Sequence, residues 1–150
     1  MNNEPEELKK IFHHIGKLHY SISQKYLDKL GIHRGQAALL QVLNKKDGIA
    51  QKDICKGLLV APATVTVMLQ RMEKSELITR EQDDKDKRKS RIYLSEKGKK
   101  MCEEINKLYL NIEKVSFENL DEQELNDLTR LMLQVKNNLQ EALNKNEIWD

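Results

Sequence analysis

The sequence predicts a mainly α-helical fold with a small β wing, in which a helix-turn-helix core is flanked by long helices at both ends. Apolar residues recur at helical spacing over most of the 150 residues. Two short segments of alternating apolar and polar residues follow the central helices, and a strongly basic turn separates them. The length suits one domain, or a DNA-binding unit with an added helical interface, and it is long enough for a substantial hydrophobic core.

The most informative helix begins near Pro62, because proline is favoured at a first helical position. One face of this helix is apolar and should be buried; it carries Val65, Met68, Leu69 and Met72. The other face carries small, hydroxyl, amide and cationic groups, which suit a groove lined by base edges and phosphates. These candidate recognition residues are Ala63, Thr64, Thr66, Val67, Gln70, Arg71 and Lys74.

The segments 77–80 and 91–94 alternate apolar and polar residues, and each predicts a short strand with one buried face. The basic wing between and beside them has five cations in seven residues, opposed only by Asp86: Lys85, Lys87, Arg88, Lys89 and Arg91. Cations of this kind neutralise DNA phosphates, and an arginine can also enter a narrow minor groove. Helix and hairpin together predict a winged helix-turn-helix over residues 34–95.

The N-terminal segment from Glu6 to Leu30 predicts one long amphipathic helix whose apolar stripe includes Ile11 and Ile15. The histidines His13, His14, His19 and His33 raise the hypothesis of a metal site. However, no pair of them has the i, i+4 spacing that places two imidazoles on one metal, so surface or packing roles are favoured and no metal or other cofactor is expected.

Between this helix and Pro62, Gly31 predicts a helix end, and a second helix is expected over residues 34–44. Asp47 and Gly48 indicate a turn, and a short third helix is expected from Ile49 to Lys56, with Ile54 facing inward. This third helix and the helix at Pro62 form the predicted helix-turn-helix.

Beyond the wing, Ser95 predicts the N-cap of a helix ending near residue 116, and Asp121 with Glu124 predicts a capping box at the start of the last helix. The apolar seam of that last helix contains Leu125, Leu128, Met132, Val135 and Leu139. We expect residues 6–30 and 100–145 to be dimerisation helices, because long amphipathic helices need an apolar partner. The alternative is a monomer in which these helices fold back on themselves.

Charge is unevenly distributed: residues 1–115 carry 23 basic and 16 acidic side chains, whereas residues 116–150 carry 3 and 8. Such segregation is typical of a protein with one nucleic-acid-binding face. The cysteines Cys55 and Cys102 lack a C-x-x-C spacing and are interpreted as buried free thiols rather than redox switches. No signal peptide or membrane segment is recognised, so a cytoplasmic location without membrane contact is expected.

The residues favour two other classes of function less. A winged helix used for protein contact alone is disfavoured by the basic wing, because protein interfaces are depleted in lysine. An enzyme is disfavoured because no Ser-His-Asp, metal or phosphate-loop pattern is present.

The sequence resembles the multiple antibiotic resistance regulator (MarR) family of bacterial transcription factors over nearly its whole length. The resemblance is carried by A-P-A-T-V-T at residues 61–66, by D-D-K-D-K-R at residues 83–88, and by R-I-Y-L-S-E-K-G at residues 91–98. It implies that Arg88 enters the minor groove and that Asp86 braces the wing by pairing with Arg71. The chain departs from the family pattern in the recognition region at Ala61, Val67, Gln70 and Glu76.

The resemblance further implies a triangular homodimer with helices from both termini at its interface, and a palindromic operator in double-stranded DNA. Many family members are repressors that release DNA when a small lipophilic or phenolic effector enters a cleft beside the DNA-binding region. The aromatic side chains Phe12, Tyr20, Tyr26 and Tyr109 are candidates for such a cleft, although packing roles are favoured.

Overall fold

The computed structural model describes residues 4–83, 86 and 90–145. The chain divides into two compact units, Met1–Ile112 and Glu113–Asp150, which are described separately. The order of elements is α1 (Glu4–Lys29), α2 (Arg34–Lys45), β1 (Ile49–Ala50), α3 (Gln51–Leu58), α4 (Pro62–Lys74), β2 (Ile78–Gln82), β3 (Ser90–Leu94), α5 (Glu96–Phe117) and α6 (Glu122–Lys145). The predicted mainly helical fold with a small β wing is confirmed.

The first helix ends as the sequence predicts. Gly31 has a positive φ of 67°, which glycine adopts without steric cost, and the N–H of Ile32 donates to the carbonyl oxygen of Leu27 at 3.1 Å. Leu27 and Ser23 are the buried residues of α1 among those that the structure describes. The hydroxyl of Ser23 donates to the carbonyl oxygen of His19 at 2.6 Å, so burial leaves it paired.

A three-stranded antiparallel sheet joins the hairpin to the segment before α3, in the order β1-β3-β2. Ile92 of β3 lies opposite Ile49 on one side and Arg80 on the other. The prediction that Ile49 begins a helix is wrong, because Ile49 and Ala50 pair with β3 and Ala50 is extended (φ −77°, ψ 152°). Two residues are too few to show the alternation that identifies a strand.

The hydrophobic core of the first unit is formed by α2, α3, α4, the sheet and α5. Its fully buried large side chains include Leu39, Leu40, Leu43, Ile54, Leu69, Met72, Ile92 and Ile105. Val65, Leu69 and Met72 of α4 are buried as predicted, whereas Met68 is half-buried and packs against the core. Ile54 faces inward as predicted.

Gly98 allows α5 to approach the chain segment between α4 and β2. A Cβ at this position would lie 2.0 Å from the carbonyl oxygen of Leu77, which is a backbone atom that cannot move aside. The same helix start is capped by Ser95, whose hydroxyl oxygen accepts from the N–H of Gly98 at 2.9 Å and donates to the carbonyl oxygen of Glu76 at 2.6 Å. The predicted N-cap is confirmed.

In the second unit, α6 has the capping box that the sequence predicts. The carboxylate of Asp121 accepts from the N–H of Glu124 at 2.8 Å, and the carboxylate of Glu124 accepts from the N–H of Asp121 at 2.9 Å.

Within the described ranges, no single helix is long and apolar enough to cross a membrane. Among the described residues, α3 and α4 taken together have the length and composition of a membrane span, but the chain bends by 112° between them. They carry the core residues Ile54, Val65 and Leu69.

Candidate nucleic-acid interface

The turn between α3 and α4 sets the direction of the candidate recognition helix. Leu59 ends α3 in the left-handed region (φ 54°, ψ 41°), and its side chain is 84% exposed. Ala61 precedes α4 and provides no capping side chain, while Pro62 occupies the start of the helix and lacks an N–H that would need a partner. Helix α4 therefore begins without a side-chain cap of its own.

The predicted recognition residues lie mainly on the exposed face of α4. The residues exposed to solvent are Ala63, Thr64, Val67, Gln70, Arg71 and Lys74, and Thr66 is half-buried. Val67 is 46% exposed, and an apolar side chain at this position can contact the methyl group of thymine. The helix thus presents amide, hydroxyl, methyl and cationic groups on the side opposite its buried residues.

Thr66 differs from its neighbours because its hydroxyl is already used within the chain. The hydroxyl donates to the carbonyl oxygen of Pro62 at 2.9 Å and accepts from Nε2 of Gln51 at 2.6 Å. Nε2 of Gln51 also lies 3.4 Å from the carbonyl oxygen of Pro62. Sequence reasoning did not identify Gln51, because the contact spans 15 positions and a glutamine at a helix start is not a distinctive signal.

The C-terminal end of α4 is fixed to β2. Nε of Arg80 donates to the carboxylate of Glu73 at 2.7 Å, and both side chains are about one-third exposed or less. The hydroxyl of Ser75 donates to the carbonyl oxygen of Arg71 at 3.0 Å, and Nζ of Lys97 donates to the carbonyl oxygen of Ser75 at 2.8 Å. Of these contacts, the one from Lys97 pairs a carbonyl group beyond the last turn of the helix, where intrahelical partners are lacking.

The base of the wing is held by an ion pair that the sequence analysis missed. Nε of Arg91 lies 2.6 Å from Oδ2 of Asp83, and Nη1 of Arg91 donates to the carbonyl oxygen of Gly48 at 2.8 Å. Asp83 is buried, at 8% exposure, and its other carboxylate oxygen accepts from the backbone N–H of Asp86 at 3.1 Å. A buried carboxylate is costly unless it is paired, so this pairing stabilises the folded hairpin.

The pairing register of the two hairpin strands would have predicted that Asp83 lies near Arg91. Gln82 lies opposite Ser90 and Glu81 lies opposite Arg91, so Asp83 immediately follows the paired segment on the other strand. The contact from Arg91 to Gly48 spans 43 positions and depends on β1, which the sequence analysis did not recognise as a strand.

Four of the predicted wing cations, Lys85, Lys87, Arg88 and Lys89, lie outside the described residues. Their contact with DNA stays a prediction, as does the pairing of Asp86 with Arg71. The fifth cation, Arg91, is described, and its side chain is 48% exposed although it pairs with Asp83.

A second surface of the first unit is apolar and exposed. The stripe of α1 is 41–68% exposed in the single chain, and it consists of Leu8, Ile11, Phe12, Ile15, Leu18, Ile22 and Tyr26. In the second unit, the predicted interface residues Met132, Val135 and Leu139 are 41–54% exposed, while Leu125 and Leu128 are half-buried.

Three of the four aromatic candidates for an effector cleft, Tyr20, Tyr26 and Tyr109, make ring contacts within the chain. The ring of Tyr109 stacks on His19 with centroids 6.4 Å apart, and the guanidinium of Arg34 lies 4.6 Å from the ring centroid of Tyr20. Nζ of Lys29 lies 5.0 Å from the centroid of Tyr26. No group of three or more metal-ligating side chains occurs among the residues that the structure describes.

The two cysteines occupy different environments. Cys102 is buried as predicted, and its thiol lies 3.6 Å from the carbonyl oxygen of Leu40. Burial, with a smaller contribution from the negative charge of Asp47, raises the pKa of Cys102 and disfavours its reactive thiolate. Cys55 is half-buried rather than buried.

An exposed polar helix that follows a helix-turn-helix corner, together with a β hairpin, defines a winged helix-turn-helix protein. A model of the MarR family matches residues 32–90. The transcriptional regulator HosA of Escherichia coli is 30% identical over 93 residues, which cover 61% of this chain and 69% of HosA. The chain belongs to the MarR family, as its sequence predicts.

Solved structures agree with this assignment. The structure of an S. aureus MepR–DNA complex is similar with a TM-score of 0.74 at 25% identity, covering 86% of this chain and 94% of MepR. A MarR transcriptional regulator from Methanosarcina mazei Go1 has the same TM-score at 26% identity, covering 90% of this chain and 98% of that one. Because this family consists of regulators, the prediction that the chain is not an enzyme is confirmed.

Proposed function

We propose that this chain is a homodimeric, sequence-specific repressor that binds a palindromic operator with α4 in the major groove and the wing in the minor groove. The observation that carries the proposal is the exposed face of α4, where Thr64, Gln70 and Lys74 stand opposite the buried Val65, Leu69 and Met72. Amide and hydroxyl groups can hydrogen-bond to base edges, and cations can contact phosphates. The similar MepR protein was solved in complex with DNA.

The wing supplies the sequence-independent part of the binding energy in this proposal. Its cations Lys85, Lys87, Arg88 and Lys89 follow a hairpin base that Asp83 and Arg91 hold together. Each phosphate that a cation neutralises releases counterions, which makes binding dependent on salt. Arg88 is the residue proposed to enter the minor groove.

The dimer is proposed from the exposed apolar stripe of α1, to which Ile11 and Ile15 belong. A stripe of seven exposed apolar residues is unfavourable in water, and a second copy of the chain offers a matching apolar surface. We assign the dimerisation helices to residues 6–30 and 100–145. Deleting residues 121–150 should therefore abolish dimerisation and tight DNA binding, and a truncated monomer that bound DNA as well as the intact chain would contradict this assignment.

Release from DNA is proposed to follow the binding of a small lipophilic or phenolic effector, as the family resemblance implies. The buried thiol of Cys102, whose pKa is raised, supports a trigger other than oxidation at that site. The chain is proposed to act in the cytoplasm and without membrane contact.

The proposal is tested by selecting duplexes from a randomised library with the intact chain and measuring their binding by fluorescence anisotropy. The selected duplexes should share a two-fold symmetric motif whose half-site centres lie about one helical turn apart. They should bind at least ~10³-fold more tightly than random duplexes at physiological salt, and they should block transcription in vitro when placed over a promoter. Equal affinity for selected and random duplexes would contradict sequence-specific repression.

A further inference from the structure

The corner between α3 and α4 contains a closed set of hydrogen bonds formed by Gln51, Pro62 and Thr66. The amide of Gln51 and the hydroxyl of Thr66 are 2.6 Å apart, and that hydroxyl is 2.9 Å from the carbonyl oxygen of Pro62. A carbonyl oxygen can only accept, so the hydroxyl of Thr66 must donate its single proton to Pro62. Nε2 of Gln51 then donates to the hydroxyl oxygen.

The orientation of the Gln51 amide follows from the same geometry. Its nitrogen lies 3.4 Å from the carbonyl oxygen of Pro62. If the amide were reversed, two oxygen acceptors would face each other across that distance, whereas the assigned orientation places a second N–H there. In the assigned orientation, each of the three contacts pairs one donor with one acceptor.

This arrangement changes what Thr66 can offer to DNA. Its hydroxyl proton and one of its two lone pairs are already used within the chain. One lone pair and the methyl group remain, so Thr66 cannot act as a hydrogen-bond donor to a base without breaking the bond to Pro62.

The position of the Gln51 side chain matters because α4 begins without a side-chain cap. Ala61 supplies no side-chain cap, and the preceding turn contains Leu59 in the left-handed region. Gln51 reaches from the first residue of α3 to the first two turns of α4, across an angle of 112°. A bond between these two helices restrains the rotation and depth of the half of α4 that carries Ala63, Thr64 and Val67.

We propose that Gln51 is a positioning residue that acts through the hydroxyl of Thr66 to hold the N-terminal half of α4 in the geometry needed for sequence discrimination. The pair orients the helix, and neighbouring side chains read the bases. This inference rests on the proposed function, since it concerns how the same helix discriminates between DNA sequences.

The test compares Gln51→Ala, Thr66→Val and the double variant for binding to the duplex selected by the intact chain and to a random duplex. Thr66→Val keeps the shape and a methyl group but removes the hydroxyl. Each single variant should bind the selected duplex about tenfold more weakly, should bind the random duplex within twofold of the intact chain, and should keep its salt dependence. The double variant should lose no more than either single variant.

Gln41→Ala is the matched control. Gln41 is also half-buried, and its amide donates to Oδ1 of Asn106 at 3.0 Å, which joins α2 to α5 away from the recognition helix. This variant removes one side-chain hydrogen bond and should leave the ratio of selected to random binding unchanged. Additive losses in the double variant, or equal weakening on both duplexes by Gln51→Ala, would overturn the proposal.

Amide hydrogen exchange provides a test that does not need DNA. Exchange at residues 65–67 should accelerate about tenfold in Gln51→Ala and remain unchanged in Gln41→Ala. Unchanged exchange in Gln51→Ala would overturn the positioning role even if sequence-specific binding is confirmed. If the intact chain selects no duplex, the proposed function fails, and exchange still decides whether Gln51 holds α4.

Discussion

Helices α1 and α4 both belong to the first unit, but α4 buries its apolar face in the core, whereas the apolar stripe of α1 is exposed in the single chain. On α4 the exposed face is mostly polar and cationic, with Thr64, Gln70 and Lys74. On α1 the apolar stripe is exposed as well, with Ile11 49% and Ile15 59% exposed. A polar exposed face suits a solvated, charged partner such as DNA, whereas an apolar face suits another apolar surface. The two helices therefore have different expected partners.

The largest expected effect comes from reversing the character of the α1 face. The double variant Ile11→Asp, Ile15→Asp removes two apolar side chains, each contributing about 1.5–3 kcal/mol when buried, and adds two charges. The dissociation constant of the dimer should be more than about 100-fold higher in this variant than in the intact chain. Analytical ultracentrifugation measures this change.

The control for that variant is His13→Asp, Lys17→Asp, which has the same spacing on the opposite, polar side of α1. Both residues are exposed. Dimerisation should change little in this variant. Equal dissociation of the two double variants would mean that charge, rather than the apolar stripe, controls association.

The second prediction concerns the support beneath α4. Gly98→Ala places a Cβ 2.0 Å from the carbonyl oxygen of Leu77, so the segment that connects α4 to β2 must move. We expect a loss of about 3 kcal/mol in the free energy of unfolding, as for severe overpacking. Chemical denaturation measures it.

Gly57→Ala is the matched control. Gly57 lies within helix α3, and a Cβ at this position would lie 3.5 Å from the side chain of Val42, which is an ordinary contact distance. This substitution should leave stability unchanged or raise it by up to about 1 kcal/mol. A Gly98→Ala variant as stable as Gly57→Ala would show that the close approach of α5 to Leu77 is not required.

The third prediction separates base reading from phosphate contact. Thr64→Ala and Gln70→Ala should each cost about 1–3 kcal/mol on the selected duplex and leave the salt dependence of binding unchanged. Arg88→Ala should weaken binding to all duplexes and reduce the log–log salt slope by about one. A reduced salt slope for Gln70→Ala would contradict the division of roles between α4 and the wing.

The smallest expected effect concerns the thiols. Cys102 is 1% exposed and its pKa is raised, so fewer molecules carry the thiolate at neutral pH than for an ordinary cysteine. Cys55 is half-buried and should react faster with a thiol reagent in the native state. Peroxide should leave DNA binding intact, and loss of binding that a Cys55→Ser, Cys102→Ser variant escaped would show a redox trigger.

The sequence predicted the parts of this fold that depend on local patterns. The helical periods placed Val65, Leu69 and Met72 in the core, and the Asp121 capping box marked the start of α6. Strand β1 was missed, because two residues are too few to show an alternating pattern. Ile49 and Ala50 form a strand only by pairing with β3.

The site shows the same limit. The residue types on the exposed face of α4 were readable from the sequence, but the use of the Thr66 hydroxyl by Gln51 was not. Asp83 begins the D-D-K-D-K-R motif, but that motif did not indicate its partner, because the pairing of Asp83 with Arg91 depends on the register of a hairpin. Local sequence patterns do not predict contacts between residues that lie far apart in the chain.

The difference between α1 and α4 is tested most directly by hydroxyl-radical footprinting of side chains, read by mass spectrometry, on the intact chain. Three samples are compared: dilute protein, concentrated protein, and dilute protein with the selected duplex at low salt. Phe12 and Ile15 should become protected on concentration alone, whereas Val67 should become protected only when DNA is added. Protection of Val67 by self-association, or a Val67 that remains reactive in the DNA complex, would contradict the assignment of the polar helix to DNA and the apolar helix to a second copy.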